Sequence, residues 1–155
     1  MNILPGWHPI IVHFPLALTV TATLLLLTAR LSRHERYAAT LATVGTWNLC
    51  LGAGAALLAI ATGLAAVVHL NVGTAAHQAI SLHLRWGIFT TLALVLLAVW
   101  RGAGCAQDSR PSRLFMVALL SATAALIVTG YRGGQNVYRY GVGVDTHTAA
   151  STTAR

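Results

Sequence analysis

Four stretches of the chain carry no Asp, Glu, Lys or Arg: positions 1–29, 37–84, 86–100 and 114–131. Within them apolar residues run on almost without interruption, the pattern of helices surrounded by lipid and not of half-exposed strands. About 20 apolar residues cross a hydrocarbon core, so the pattern predicts four spans, near 9–29, 46–70, 78–100 and 113–131. The boundaries agree with helix chemistry. Pro9 suits a first helical turn, Arg30, Arg33 and Arg36 close the first span, Arg101 closes the third, and Ser112 stands where it can cap the fourth. The predicted fold is all-α: an integral-membrane four-helix bundle, up-down-up-down, with residues 1–145 as one domain and 146–155 as a tail.

Composition excludes several classes of function. Of 155 residues 56% are hydrophobic and 8% charged, against about 25% charged in soluble domains. A soluble enzyme, a nucleic-acid binder and a disulfide-stapled secreted domain all fit poorly. The formal net charge is +7, but every basic residue is arginine, and most of them flank apolar spans without forming a groove. They encode topology. Arg30, Arg33, Arg36, Arg101, Arg110 and Arg113 flank the first and third connections, whereas 71–78 has no basic residue. The positive-inside rule then places both termini outside, periplasmic in a bacterial inner membrane, with Arg132 and Arg139 opposing that orientation. The first span lacks a basic amino-terminal flank and exceeds the length of a signal-peptide core, so it is expected to remain as a span. Cys50 and Cys105 have no CxxC spacing and suggest neither metal nor disulfide.

The candidate chemistry is histidine. His8, His13, His69, His77 and His83 fall at one membrane face, and His34 and His147 lie in polar segments. At 1.5 Å per residue, His13 lies about 7 Å below His8 and His83 about 9 Å below His77, so His13 and His83 are expected to share a depth. Imidazoles inside a span are costly unless partnered, and neutral imidazole ligates haem iron, copper and zinc. Two readings of that pair stand: a cofactor or metal held by His13 and His83, or hydrogen bonds from helix to helix. His8, His69 and His77 form a second layer that binds its own metal or haem, supports the first, or consists of plain interfacial residues. Gly87, four residues after His83, and Ala17, four after His13, leave space beside those rings. Gly52, Ala56, Ala59 and Gly63 make a small-residue stripe, more simply read as close helix packing than as a cofactor slot. Arg85, Arg132 and Arg139 are candidates for a haem propionate, or for lipid phosphate and water. No CxxCH occurs, which excludes c-type attachment. After the fourth span, 131–144 holds four glycines and three tyrosines and is expected to form an interfacial lid.

The opening His8-Pro9-Ile10-Ile11-Val12-His13-Phe14-Pro15-Leu16-Ala17-Leu18 resembles the HPxxVHFPxAL motif of a bacterial family of small four-helix membrane proteins filed as a domain of unknown function. Two further blocks are similar: Ala61-Thr62-Gly63 through His69 and His77 to His83 and Trp86, and Gly133-Gly134 through Tyr138, Arg139 and Gly143. One departure is Leu70, where some relatives carry an acidic residue. Members are regarded as b-type cytochromes or haem-associated subunits. The resemblance therefore implies His13 and His83 as axial ligands of haem b, with His8, His69 and His77 as candidates for a second haem or metal. The first reading is then a membrane b-type cytochrome, expected to move electrons between a partner at the outer face, a c-type cytochrome or dehydrogenase subunit, and quinone or another redox subunit. Copper or zinc binding and a cofactor-free anchor subunit are the alternatives. Only Glu35, Asp108 and Asp145 are acidic and all lie in polar segments, so no carboxylate pair is available for acid-base catalysis within the bilayer.

Overall fold

The computed structural model describes residues 7–68, 73–103 and 110–144. His69, His147, Cys105 and the expected tail at 146–155 lie outside the described residues. The chain forms a bundle of four helical spans with no strand among the described residues. The first span is broken into α1 (His8–Ile11) and α2 (His13–Leu31); α3 is Glu35–Val67, α4 Thr74–Ala103 and α5 Arg113–Tyr140. Neighbours in sequence pack on each other, and α2 closes the ring against α5.

Each boundary has a local cause. Pro15 falls in the first turn of α2, where its missing N–H leaves no intrahelical bond unmade, so the chain breaks at Val12 and restarts at His13. The Oγ of Ser112 accepts a hydrogen bond from the Phe115 N–H at 3.1 Å, the cap expected from the sequence. Gly141 ends α5 with φ +63°, a left-handed conformation that few other residues adopt. The helices are longer than the apolar runs that predicted them. α3 extends about 50 Å, so it passes well beyond a hydrocarbon core of about 30 Å. α5 continues through Gly133 and Gly134 to Tyr140, and the Gly/Tyr-rich segment expected as a lid is mostly helix.

The core is narrow and built on small side chains. Ala22, Leu26, Ala29, Ala42, Leu49, Ala53 and Ala56 are buried between α2 and α3. There a Cβ on Gly45 would come within 2.8 Å of Leu26 Cγ, and one on Gly52 within 3.0 Å of Thr19 Oγ1. Such contacts bring helices close where lipid offers no hydrophobic drive between them. Leu24, Trp47, Leu57, Leu58, Phe89, Leu96 and Val117 point outward, which in a bilayer is contact with acyl chains. The two ends differ in chemistry. At one, Arg30 donates to the Pro111 carbonyl at 2.6 Å, and Arg110 binds Glu35 at 2.7 Å and the Ser32 carbonyl at 2.9 Å, tying the first connection to the third. The other end holds His8, His13, His77 and His83.

Candidate cofactor site

His8 opens α1 and His83 lies in the third turn of α4, both at the histidine end of the bundle. Their ring centres are 6.5 Å apart and their planes are inclined at 79°. The Nδ1 of His8 lies 3.0 Å from the Ala59 carbonyl and 3.3 Å from Thr62 Oγ1, and the Nδ1 of His83 lies 3.1 Å from the Thr129 carbonyl. A carbonyl only accepts, so Nδ1 is the donor in both rings, and in a neutral imidazole this puts the lone pair on Nε2. Neither Nε2 has a hydrogen-bond partner among the described residues.

The two halves of the site are built alike. Four residues beyond each accepting carbonyl, one turn along the same helix, stands a glycine: Gly63 after Ala59 and Gly133 after Thr129. A Cβ on Gly63 would lie 3.0 Å from His8 Cε1, and one on Gly133 would lie 3.0 Å from His83 Cε1. Each imidazole therefore rests on bare helix backbone, held by one hydrogen bond and by a surface that a side chain would fill. α3 cradles His8 and α5 cradles His83, so the rings project from separate helix pairs toward a shared space.

Two such rings could supply one nitrogen donor each to a shared ligand, the number that the axial positions of a haem would require. An ion held between two imidazole nitrogens at about 2.0–2.1 Å each, with the rings in line, puts the ring centres about 6 to 6.5 Å apart. Second-shell carbonyls that take the distal N–H of a ligating histidine are the usual means of fixing its tautomer and orientation. Two nitrogen donors are the axial set of a bis-histidine haem, whereas a structural zinc site needs four protein ligands. Among the described residues no group of three or more His, Cys, Asp and Glu is placed to hold a metal ion.

The other expected site residues are distributed differently. His13 is exposed, and its Nδ1 donates at 2.6 Å to the carbonyl of Pro9, at the joint between α1 and α2. The ring brought to His83 is thus that of His8. Counting residues at 1.5 Å each put His13 level with His83, whereas the break at Val12 and the α3 carbonyl bring His8 there instead. His77 is exposed at the start of α4, and His34 lies at the arginine end beside Tyr37. Gly87 faces Ile60, whose Cδ1 would lie 3.3 Å from an added Cβ, so it serves packing of α4 on α3. The stripe on α3 divides its work: Gly52 packs on α2, while Ala59 and Gly63 hold His8. Arg85 is exposed and lines a groove with Leu82, Trp86 and Phe89. Arg132 is half-buried with its guanidinium carbon 5.5 Å from the centre of the Trp86 ring, and Arg139 stands over Tyr140 at 5.9 Å.

Sequence reasoning did not find the roles of Ala59, Thr129 and Gly133. Only the spacing of four to a glycine near the end of the second and fourth helices signals them. A family model described as "Predicted membrane protein (DUF2231)" matches residues 5–146, which include all four spans and both histidines of the site. No curated protein and no solved structure matches the chain.

Proposed function

We propose, for a chain that belongs to the DUF2231 family of predicted membrane proteins, that it is a small membrane b-type cytochrome whose axial ligands are His8 and His83. One observation supports this reading above the others: two imidazoles from separate helix pairs, each oriented by a helix carbonyl and a glycine, with ring centres 6.5 Å apart. Haem supplies a reversible one-electron change at iron when bound. The chain's own residues do the rest. Ala59 and Thr129 accept the Nδ1 protons and so direct the Nε2 lone pairs, Gly63 and Gly133 set the ring positions, and the apolar walls lower the local dielectric. No acid-base group is required, in keeping with a bundle whose three carboxylates lie in polar segments.

The positive-inside rule puts the site at the outer face of the membrane, in a bacterium the periplasmic face of the inner membrane. A soluble or membrane-bound redox protein, of the c-type cytochrome or dehydrogenase-subunit kind, exchanges electrons there, with quinone in the bilayer as the second carrier. The test is an absorption spectrum with a pyridine haemochrome on the purified full-length protein. A Soret band of b type is expected. His8→Ala and His83→Ala each abolish the low-spin spectrum, while His13→Ala and His34→Ala retain it. Colourless protein carrying stoichiometric copper or zinc overturns the proposal in favour of a metal-handling protein, and unchanged low-spin haem in both ligand variants overturns the ligand pair.

A further inference from the structure

Arg132 lacks a counter-charge within the described part of the chain. The protein's three carboxylates are Glu35, Asp108 and Asp145. Glu35 is the one among the described residues, and it sits at the far end of the bundle bound to Arg110 at 2.7 Å. The Nε of Arg132 is buried and has no hydrogen-bond partner among the described residues, while its guanidinium lies against the face of Trp86. Leaving a buried donor of a charged group unpaired is costly, and an ionisable side chain at the edge of the hydrocarbon points to a bound partner. A cation–π contact offsets part of this cost but supplies no acceptor for an N–H.

The position of Arg132 points to the histidine site. It immediately precedes Gly133, whose backbone supports the His83 ring, and Trp86 is one helical turn from His83 on α4. Measured along α5, Arg132 is about 28 Å from Arg113, and His83 is about 27 Å from Arg101 along α4. Both stand at the same edge of a hydrocarbon core of about 30 Å. Asn136, one turn beyond Arg132 on the same helix face, is also buried. A donor fork thus stands over Trp86, one turn from His83, at the depth where the polar edge of a ligand held by the two histidines would meet water.

We propose that Arg132 is the anion-binding residue of the histidine site and takes a carboxylate from the edge of the ligand that His8 and His83 hold. This rests on the haem reading; haem b carries two propionate carboxylates on one edge, and arginine's planar fork matches a carboxylate. Arg132 is a positioning residue, fixing the rotation of the ligand within its plane and adding positive charge near it.

The test titrates the full-length protein, freed of pigment and held in zwitterionic nanodiscs, with haem b and with its dimethyl ester. The wild-type chain is expected to bind the free acid about ten- to a hundredfold more tightly, the worth of one charge-assisted hydrogen bond. Arg132→Gln is expected to bind both forms alike and to lower the reduction potential of bound haem, and Arg132→Lys to keep part of the preference. Equal binding of acid and ester by the wild-type chain overturns the proposal, as does a preference that survives in Arg132→Gln. An oxyanion from lipid is the competing source. If the ester binds as well as the acid, and anionic phosphatidylglycerol raises the stability of the wild type but not of Arg132→Gln, the partner of Arg132 is lipid phosphate and the assignment falls. Absence of pigment with either form overturns the haem reading as well, whereas pigment without discrimination overturns this assignment alone.

Discussion

At the scale of single residues, the site depends on two glycines as much as on two histidines. Gly63→Ala or Gly133→Ala puts a methyl carbon 3.0 Å from an imidazole carbon, closer than such atoms pack, so the ring or the helix must shift. Under the proposed haem reading, each variant is expected to lower haem occupancy and to alter the low-spin spectrum, whereas Gly134→Ala, with nothing within 4 Å of its Cβ, is expected to leave both unchanged. Absorption spectra of the three variants check this. The inclination of 79° between the rings makes a second prediction. If the site holds haem as proposed and the rings keep this inclination, the ferric protein is expected to give a strongly anisotropic low-spin EPR signal. The rhombic signal of parallel rings would contradict the observed orientation.

At the scale of helices, stability follows from close approach and from buried hydroxyls. Gly45→Leu forces bulk against Leu26 in the tightest part of the α2–α3 contact and is expected to cost about 1–3 kcal/mol or more, measured by denaturation in mixed micelles. Gly54→Ala, on the same helix in open space, is expected to cost nothing. Thr23 and Thr123 lie 2.8 Å apart at their Oγ1 atoms, and each hydroxyl also reaches a backbone carbonyl of its own helix at 2.8 Å. Two protons serve three contacts, so the interhelical bond forms only when one hydroxyl leaves its carbonyl. Its worth, read from a double-mutant cycle of Thr23→Val and Thr123→Val, is expected to be small, about 0.6 kcal/mol. Thr19 is a different case. Its Oγ1 is fully buried without a partner among the described residues, so Thr19→Val is expected to be neutral or stabilising in the same assay.

At the scale of the whole molecule, two helix pairs meet around one site. The pair α1/α2 with α3 supplies His8, the Ala59 carbonyl and Gly63; the pair α4 with α5 supplies His83, the Thr129 carbonyl and Gly133. Charge is unevenly divided along the bundle, with the Arg30, Arg101, Arg110 and Arg113 end opposite the histidines. Under the proposed orientation, Cys105, in the connection after α4, is expected to react with a membrane-impermeant thiol reagent only when the cytoplasmic face is open. Labelling in intact cells would reverse the orientation and put the histidine site on the cytoplasmic side.

The sequence by itself determined the number of spans, their order and the gathering of His8, His13, His77 and His83 at one end. Uncharged runs of that length admit no other structure in lipid, and arginines mark their ends. It also marked Ser112 as a cap, because capping is local chemistry. Tertiary structure decided which imidazole reaches His83. Depth follows from counting residues at 1.5 Å each, but the direction of a ring depends on the break at Val12 and on the α3 carbonyl that receives His8. For the same reason the Gly133-Gly134 pair, locally suited to a turn, is helical: α5 packs on α4, and the missing side chain of Gly133 makes room for His83. Backbone carbonyls carry no letter in the sequence, so the groups that orient both rings became visible only when the helices were in place.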